Sequence, residues 1–231
     1  MEGFKRTDKI NGISRIYLLK RWLLDFAYPN RCPFCDKIIS FDEYHCSGCG
    51  SFFAPPPQQE APELLDGFTA FTSYDIVSRA FVSKIKNENN GYAISAAAYM
   101  IYKRIKEEGA VDYDYITYVP MRKRDIFKRG YNQTKILAKE LSGLLGLKFV
   151  TLLKKNKDTL VQKKLSAKER KENVKGVFSA ASKGLDLTGR RILILDDVCT
   201  TGSTLSECAK ALRSAGADYV AAAVFAKTQL K

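Results

Sequence analysis

The chain has 231 residues with 45% hydrophobic and 11% aromatic content, which fits one ordinary domain plus a small appendage and excludes a disordered tail. It holds no run of roughly 18 apolar residues, so no membrane span is expected, and the segment MEGFKRTDKI has no apolar leader, so the expected location is cytoplasmic. The net charge of +13 is concentrated: residues 122–175 hold 17 Lys/Arg against 5 Asp/Glu, and a polyanionic partner is expected there.

Residues 10–27 (INGISRIYLLKRWLLDFA) place Ile13, Ile16, Tyr17, Leu23 and Leu24 at roughly helical spacing, which predicts an amphipathic helix docked on the protein. A cysteine-rich module, residues 28–53, follows. Cys32, Cys35, Cys46 and Cys49 are spaced C-x2-C-x10-C-x2-C, so four thiolates can converge tetrahedrally on Zn²⁺. Two disulfides or free thiols are the alternatives, and they fit a chain without a secretion signal less well. Four thiolates make a closed, structural metal site and supply the folding energy that so short a module lacks. His45 adjoins Cys46 and is expected outside the shell. The stretch APPPQQEAP (54–62) is a stiff linker. The expected division is therefore 1–57, helix and zinc module, and 58–231, a larger domain.

Beyond the linker the pattern alternates. Residues 67–74 predict a strand, 75–86 and 91–108 helices, 115–120 a strand, 131–145 a helix and 148–153 a strand. A lysine-rich polar segment, 154–175, follows. Residues 190–195 (RRILIL) predict a fully buried strand, 203–215 a helix and 218–226 a closing strand. The fold class this implies is α/β, a twisted, mainly parallel sheet flanked by helices.

Residues 192–204 read ILILDDVCTTGST. Ligands of open α/β sheets bind at the carboxyl ends of strands, where Asp196 and Asp197 fall. One helix-capping residue would not account for two carboxylates followed by Thr200, Thr201, Gly202, Ser203 and Thr204. A hydroxyl-rich loop with a glycine, opening onto a helix, is a phosphate cradle. Carboxylates beside it suit a sugar's hydroxyls or Mg²⁺. The deduced ligand is a phosphorylated sugar with magnesium.

That stretch resembles the phosphoribosyl pyrophosphate (PRPP) signature of type I phosphoribosyltransferases. The resemblance implies that Asp196 and Asp197 are the catalytic pair on the ribose 2′ and 3′ hydroxyls. It implies too that Val198, Cys199, Thr200, Thr201, Gly202, Ser203 and Thr204 complete the PRPP site, the last five around the 5′-phosphate. Cys199, at a variable position, and Cys208 are expected to pack. Residues 119–141 (VPMRKRDIFKRGYNQTKILAKEL) and 161–178 (VQKKLSAKERKENVKGVF), together with the cysteine module, are similar to the ComF family of competence proteins. By that likeness Arg122, Lys123 and Arg124 meet the pyrophosphate, and residues 154–175 form a hood closing on the site, with Gln162, Arg170 and Asn173 at the matching positions. The family is linked to uptake of transforming DNA, and one relative to gluconate metabolism. Three functions stay open: Mg²⁺-dependent phosphoribosyl transfer (pentosyltransferase class) to an undefined acceptor, single-stranded DNA binding through the basic segment with Phe127 and Tyr131 as exposed stacking residues, and PRPP sensing. A competence helicase is among the partners the resemblance implies.

Overall fold

A computed structural model of the protein describes residues 9–10, 13–49, 52–56, 61–87, 90–109, 112–156, 167–181 and 185–229. In chain order they form β1 (Lys9–Ile10), β2 (Ile13–Ser14), α1 (Arg15–Ala27), β3 (Gly67–Ser73), α2 (Ile76–Asn87), α3 (Gly91–Glu107), β4 (Tyr115–Tyr118), α4 (Lys123–Arg129), α5 (Gln133–Leu145), β5 (Lys148–Phe149), β6 (Leu153–Lys155), α6 (Ala167–Val174), β7 (Phe178–Ala180), β8 (Arg191–Cys199), α7 (Ser203–Arg213) and β9 (Tyr219–Lys227).

Five strands make one parallel sheet in the order β3-β9-β8-β4-β5, while β6 and β7 pair antiparallel beside α7. Strand β8 is apolar from Ile192 to Leu195 and β9 from Val220 to Ala226, because both sheet faces are covered there. Alternation along β8 and β9 then divides the core in two. Leu193, Leu195, Ala221, Ala223 and Phe225 join the layer containing α2, α3 and α5. Ile192, Ile194, Val220, Ala222 and Val224 join the layer containing α7. The helices that follow β4 and β8 in the chain therefore cover opposite faces. That reversal opens a crevice at the carboxyl ends of these neighbouring strands.

Local chemistry sets the helix ends. Asn90 and Asn132 cap α3 and α5, each side chain accepting a hydrogen bond from the backbone N–H three residues on. Gly130 ends α4 and Gly146 ends α5, both in the left-handed region.

The parallel sheet flanked by helices agrees with the expected fold class; several boundaries differ. The single strand expected at 148–153 is two. After Val150 the next backbone donor on that side, Leu152 N, bonds the side-chain Oγ1 of Thr117 instead of a ladder carbonyl, and the chain leaves the sheet to pair with β7. Strand β8 does not stop at Leu195 but runs through both aspartates to Cys199, because β9 continues to pair with it. Helix α1 starts at Arg15, and of the expected apolar stripe only Ile13 and Tyr17 turn to the protein. Tyr17 lies against α5, where the missing side chain of Gly143 makes room for its ring: a Cβ there would clash with the ring. Ile16, Leu23 and Leu24 are instead 68%, 58% and 53% exposed.

The cysteine segment packs on the sheet domain rather than hanging from it. Phe34 and Phe53 interlock with Phe81 and Phe225 at centroid distances of 4.9–5.7 Å, and Tyr44 stacks on Tyr99 of α3 at 4.1 Å.

Candidate functional site

The crevice is a cleft of about 850 Å³ between the ends of β4 and β8 and the start of α7. Its floor is the aspartate pair. Asp197 is buried, and both its carboxylate oxygens are taken. Lys86 of α2 lies 3.0 Å from Oδ1, and Gln133 of α5 donates through Nε2 to Oδ2 at 3.1 Å. Asp196 keeps an edge towards the cleft, and its Oδ1 accepts the Asp197 backbone N–H at 2.8 Å.

Burial, and then the neighbouring Asp197, push the Asp196 carboxyl up to about 8. Burial also disfavours the Lys86 ammonium, but Asp197 beside it outweighs this and the net shift is upward. An aspartate titrating higher in the folded than in the unfolded chain costs stability progressively as pH rises from about 4, the unfolded value, towards 8. Asp196→Asn is therefore expected to raise the melting temperature at pH 8 and leave it nearly unchanged at pH 4. Equal effects at the two pH values would refute this.

Above the floor, Thr200 to Thr204 turn the chain into α7. Gly202 is the turning point at φ +81°, and a Cβ there would also meet the Pro62 ring at 2.7 Å, so the loop needs glycine on both counts. Thr201 and Ser203 hydroxyls lie 2.9 Å apart, and Lys227, at the end of β9, donates to the Thr200 carbonyl at 2.7 Å. Hydroxyls, a helix amino terminus and a nearby ammonium make this end of the cleft receptive to an anion. Val198 and Cys199 lie on β8 and also line the cleft. Cys199 and Cys208 are buried, and burial raises both thiols, as suits packing residues.

Across the cleft stands Arg122, held by its Nε–H donating to Asp125 at 2.6 Å. Lys123 opens α4. Arg124 is 60% exposed and is not among the lining residues. Of the expected hood, Gln162 lies outside the described residues, while Arg170 and Asn173 belong to α6. Phe127 is 92% exposed as expected, but Tyr131 is not a free stacking surface: it is half-buried and its hydroxyl donates to the Ile85 carbonyl.

The sequence reading missed Lys86, Arg129 and Lys155 in the cleft. Arg129 donates to Gln133, which donates to Asp197, so α4, α5 and β8 are tied in one chain of bonds. Gln133 had a signal, since it belongs to the RGYNQ stretch. Lys86 had none: it is one of two lysines in SKIKNENN, beside Lys84.

The four cysteine Sγ atoms lie within 4.8 Å of one another, with Cys35 and Cys46 at 3.7 Å. Tetrahedral zinc–thiolate geometry calls for about 3.8 Å between sulfurs, given bonds of about 2.3 Å. The donor set thus fits a metal ion. The His45 ring instead lies against the Cys46 carbonyl.

Among known proteins, residues 126–229 match the phosphoribosyl transferase domain family. Competence protein F of Haemophilus influenzae is 28% identical over 193 residues, 81% of this chain and 82% of its own. DNA utilization protein YhgH of Escherichia coli is 29% identical over 194 residues, 82% of this chain and 80% of its own. The solved purine phosphoribosyltransferase of Pyrococcus horikoshii aligns with 60% of this chain and 77% of its own at 21% identity and a TM-score of 0.38. No helix among the described residues is long and apolar enough to cross a membrane. The chain is thus similar to Competence protein F over most of its length, its residues 126–229 match the phosphoribosyl transferase domain family, and a four-cysteine cluster precedes them.

Proposed function

We propose that the cleft binds PRPP, in a protein that serves DNA uptake as the names of its relatives suggest. One observation carries this reading: a carboxylate pair, a hydroxyl loop at a helix amino terminus and an anchored arginine face one cleft. In it the ribose hydroxyls lie on the aspartates, the 5′-phosphate lies in the Thr200–Thr204 loop, and Arg122 faces the pyrophosphate. Transfer would break the bond from ribose C1 to the pyrophosphate oxygen and form one to the acceptor. The aspartate oxygens face the sugar as positive charge develops on it, and Arg122 meets the charge on the leaving group. Mg²⁺ bound with PRPP would supply charge neutralisation for the departing pyrophosphate. Zinc in the cysteine cluster would be structural. Titration calorimetry with PRPP and Mg²⁺, followed by a pyrophosphate-release screen over candidate acceptors, tests binding and turnover in turn. No heat of binding refutes the assignment.

A second reading, single-stranded DNA binding, is favoured by Phe127, 92% exposed on α4 within the basic segment. Affinity is then expected to fall log-linearly with salt, by roughly 0.7 in slope for each phosphate contacted. Neutralising Lys163, Lys164 and Lys168 together is expected to flatten that slope by about 2. Binding indifferent to salt, or absent at low salt, rules this reading out.

A further inference from the structure

The two aspartates are not equivalent in the structure. Of their four carboxylate oxygens, three already engage protein donors: Lys86 and Gln133 on Asp197, and the Asp197 backbone N–H on Asp196 Oδ1. Asp196 Oδ2 accepts no hydrogen bond among the described residues. Lys86 comes from α2, far from the signature stretch, and its side chain is 29% exposed against 8% for Asp197. It is therefore a cation in the cleft wall, its ammonium held by a buried carboxylate while part of the side chain stays exposed to the cleft. An ammonium is lodged this deeply only where a nearby negative charge outweighs its lost hydration.

We infer that Lys86 is a positioning residue of the sugar site: it neutralises and orients Asp197, which serves as an anchor, and leaves Asp196 as the main acceptor for a ribose hydroxyl. The inference rests on the PRPP reading above. A fixed internal cation offsets charge at the sugar end that a divalent ion would otherwise have to offset. Without it, a polyanionic ligand meets the uncompensated Asp197 carboxylate on the cleft floor. The penalty then depends on how much external cation is supplied, whereas the loss of a purely architectural tie would not.

The test is calorimetric titration with PRPP across a range of Mg²⁺ concentrations, on the full chain and on two variants. Lys86→Gln keeps a donor for Asp197 but no charge; Lys86→Arg keeps the charge. Lys86→Gln is expected to bind PRPP at least about tenfold more weakly at limiting Mg²⁺, with the deficit narrowing as Mg²⁺ rises. Lys86→Arg is expected to stay within about threefold of the parent. A Lys86→Gln protein that binds like the parent, or one whose deficit is the same at every Mg²⁺ concentration, overturns the inference. If Lys86→Gln does not fold, Lys86→Arg decides, and a tenfold loss there overturns it. A parent chain that binds no PRPP removes the reading beneath it and the inference together, an outcome distinguishable from failure of the variants alone.

Discussion

Replacing Asp196 and Asp197 together with Asn is expected to lower PRPP affinity by tenfold or more. Charge-assisted hydrogen bonds contribute about 1.5 to 3 kcal/mol each, and about 1.4 kcal/mol is one decade. Asn can still bond a hydroxyl, but only as a neutral group, so the charge-assisted part of each bond is lost. The effect on folding is the sum of two opposite ones. Asp196→Asn removes a carboxyl that burial already drives towards its neutral form, which favours the folded state above pH 4 or so. Asp197→Asn takes the counter-charge from Lys86 and weakens the bond with Gln133, costing about 1.5 to 3 kcal/mol. The double variant should melt close to the parent, while the single variants move apart. The measurements are melting temperature and PRPP affinity on all three proteins. Retained binding with lost stability would reduce the pair to architecture.

Loss of the metal is expected to be the largest perturbation of the fold. Cys46→Ser, or a strong chelator, should lower the melting temperature by about 10 °C or more, taking a loss of a few kcal/mol at 2 to 4 °C each for a chain of this size. The effect should reach the sheet domain, because Phe34 and Phe53 lie against Phe81 and Phe225, and Tyr44 stacks on Tyr99 with Arg21 over its outer face. Unclamped, the segment exposes one end of the larger core. Elemental analysis of protein purified without chelator should find one zinc per chain. Its absence, or a melting curve indifferent to chelator, rules out a structural zinc site.

Short-range patterns made much of this molecule legible beforehand. RRILIL and DYVAAAVFA are apolar without alternation, which only a strand covered on both faces explains, and they are the two central strands. The double C-x2-C spacing brings four sulfurs together because each knuckle is a local turn: Asp36 N bonds Cys32 O, and Cys49 N bonds Cys46 O. The hydroxyl loop after the aspartates could be read for the same reason, since strand, glycine turn and helix are consecutive in the chain.

What escaped the sequence depends on contacts between distant segments. Lys86 and Gln133 reach Asp197 across 111 and 64 positions, and nothing near Lys86 marks it out from Lys84. Strand β8 runs on past Leu195 because its partner β9 continues, a fact absent from β8's own residues. The outward face of α1 was misjudged because its stripe is apolar on more than one side, and the tertiary structure buries the side that meets Gly143. Local spacing thus determined the elements, the cysteine cluster and the loop. Only the packing of helices onto opposite sheet faces decided which charges surround the aspartates, because a side chain's electrostatic environment is set by what folds against it.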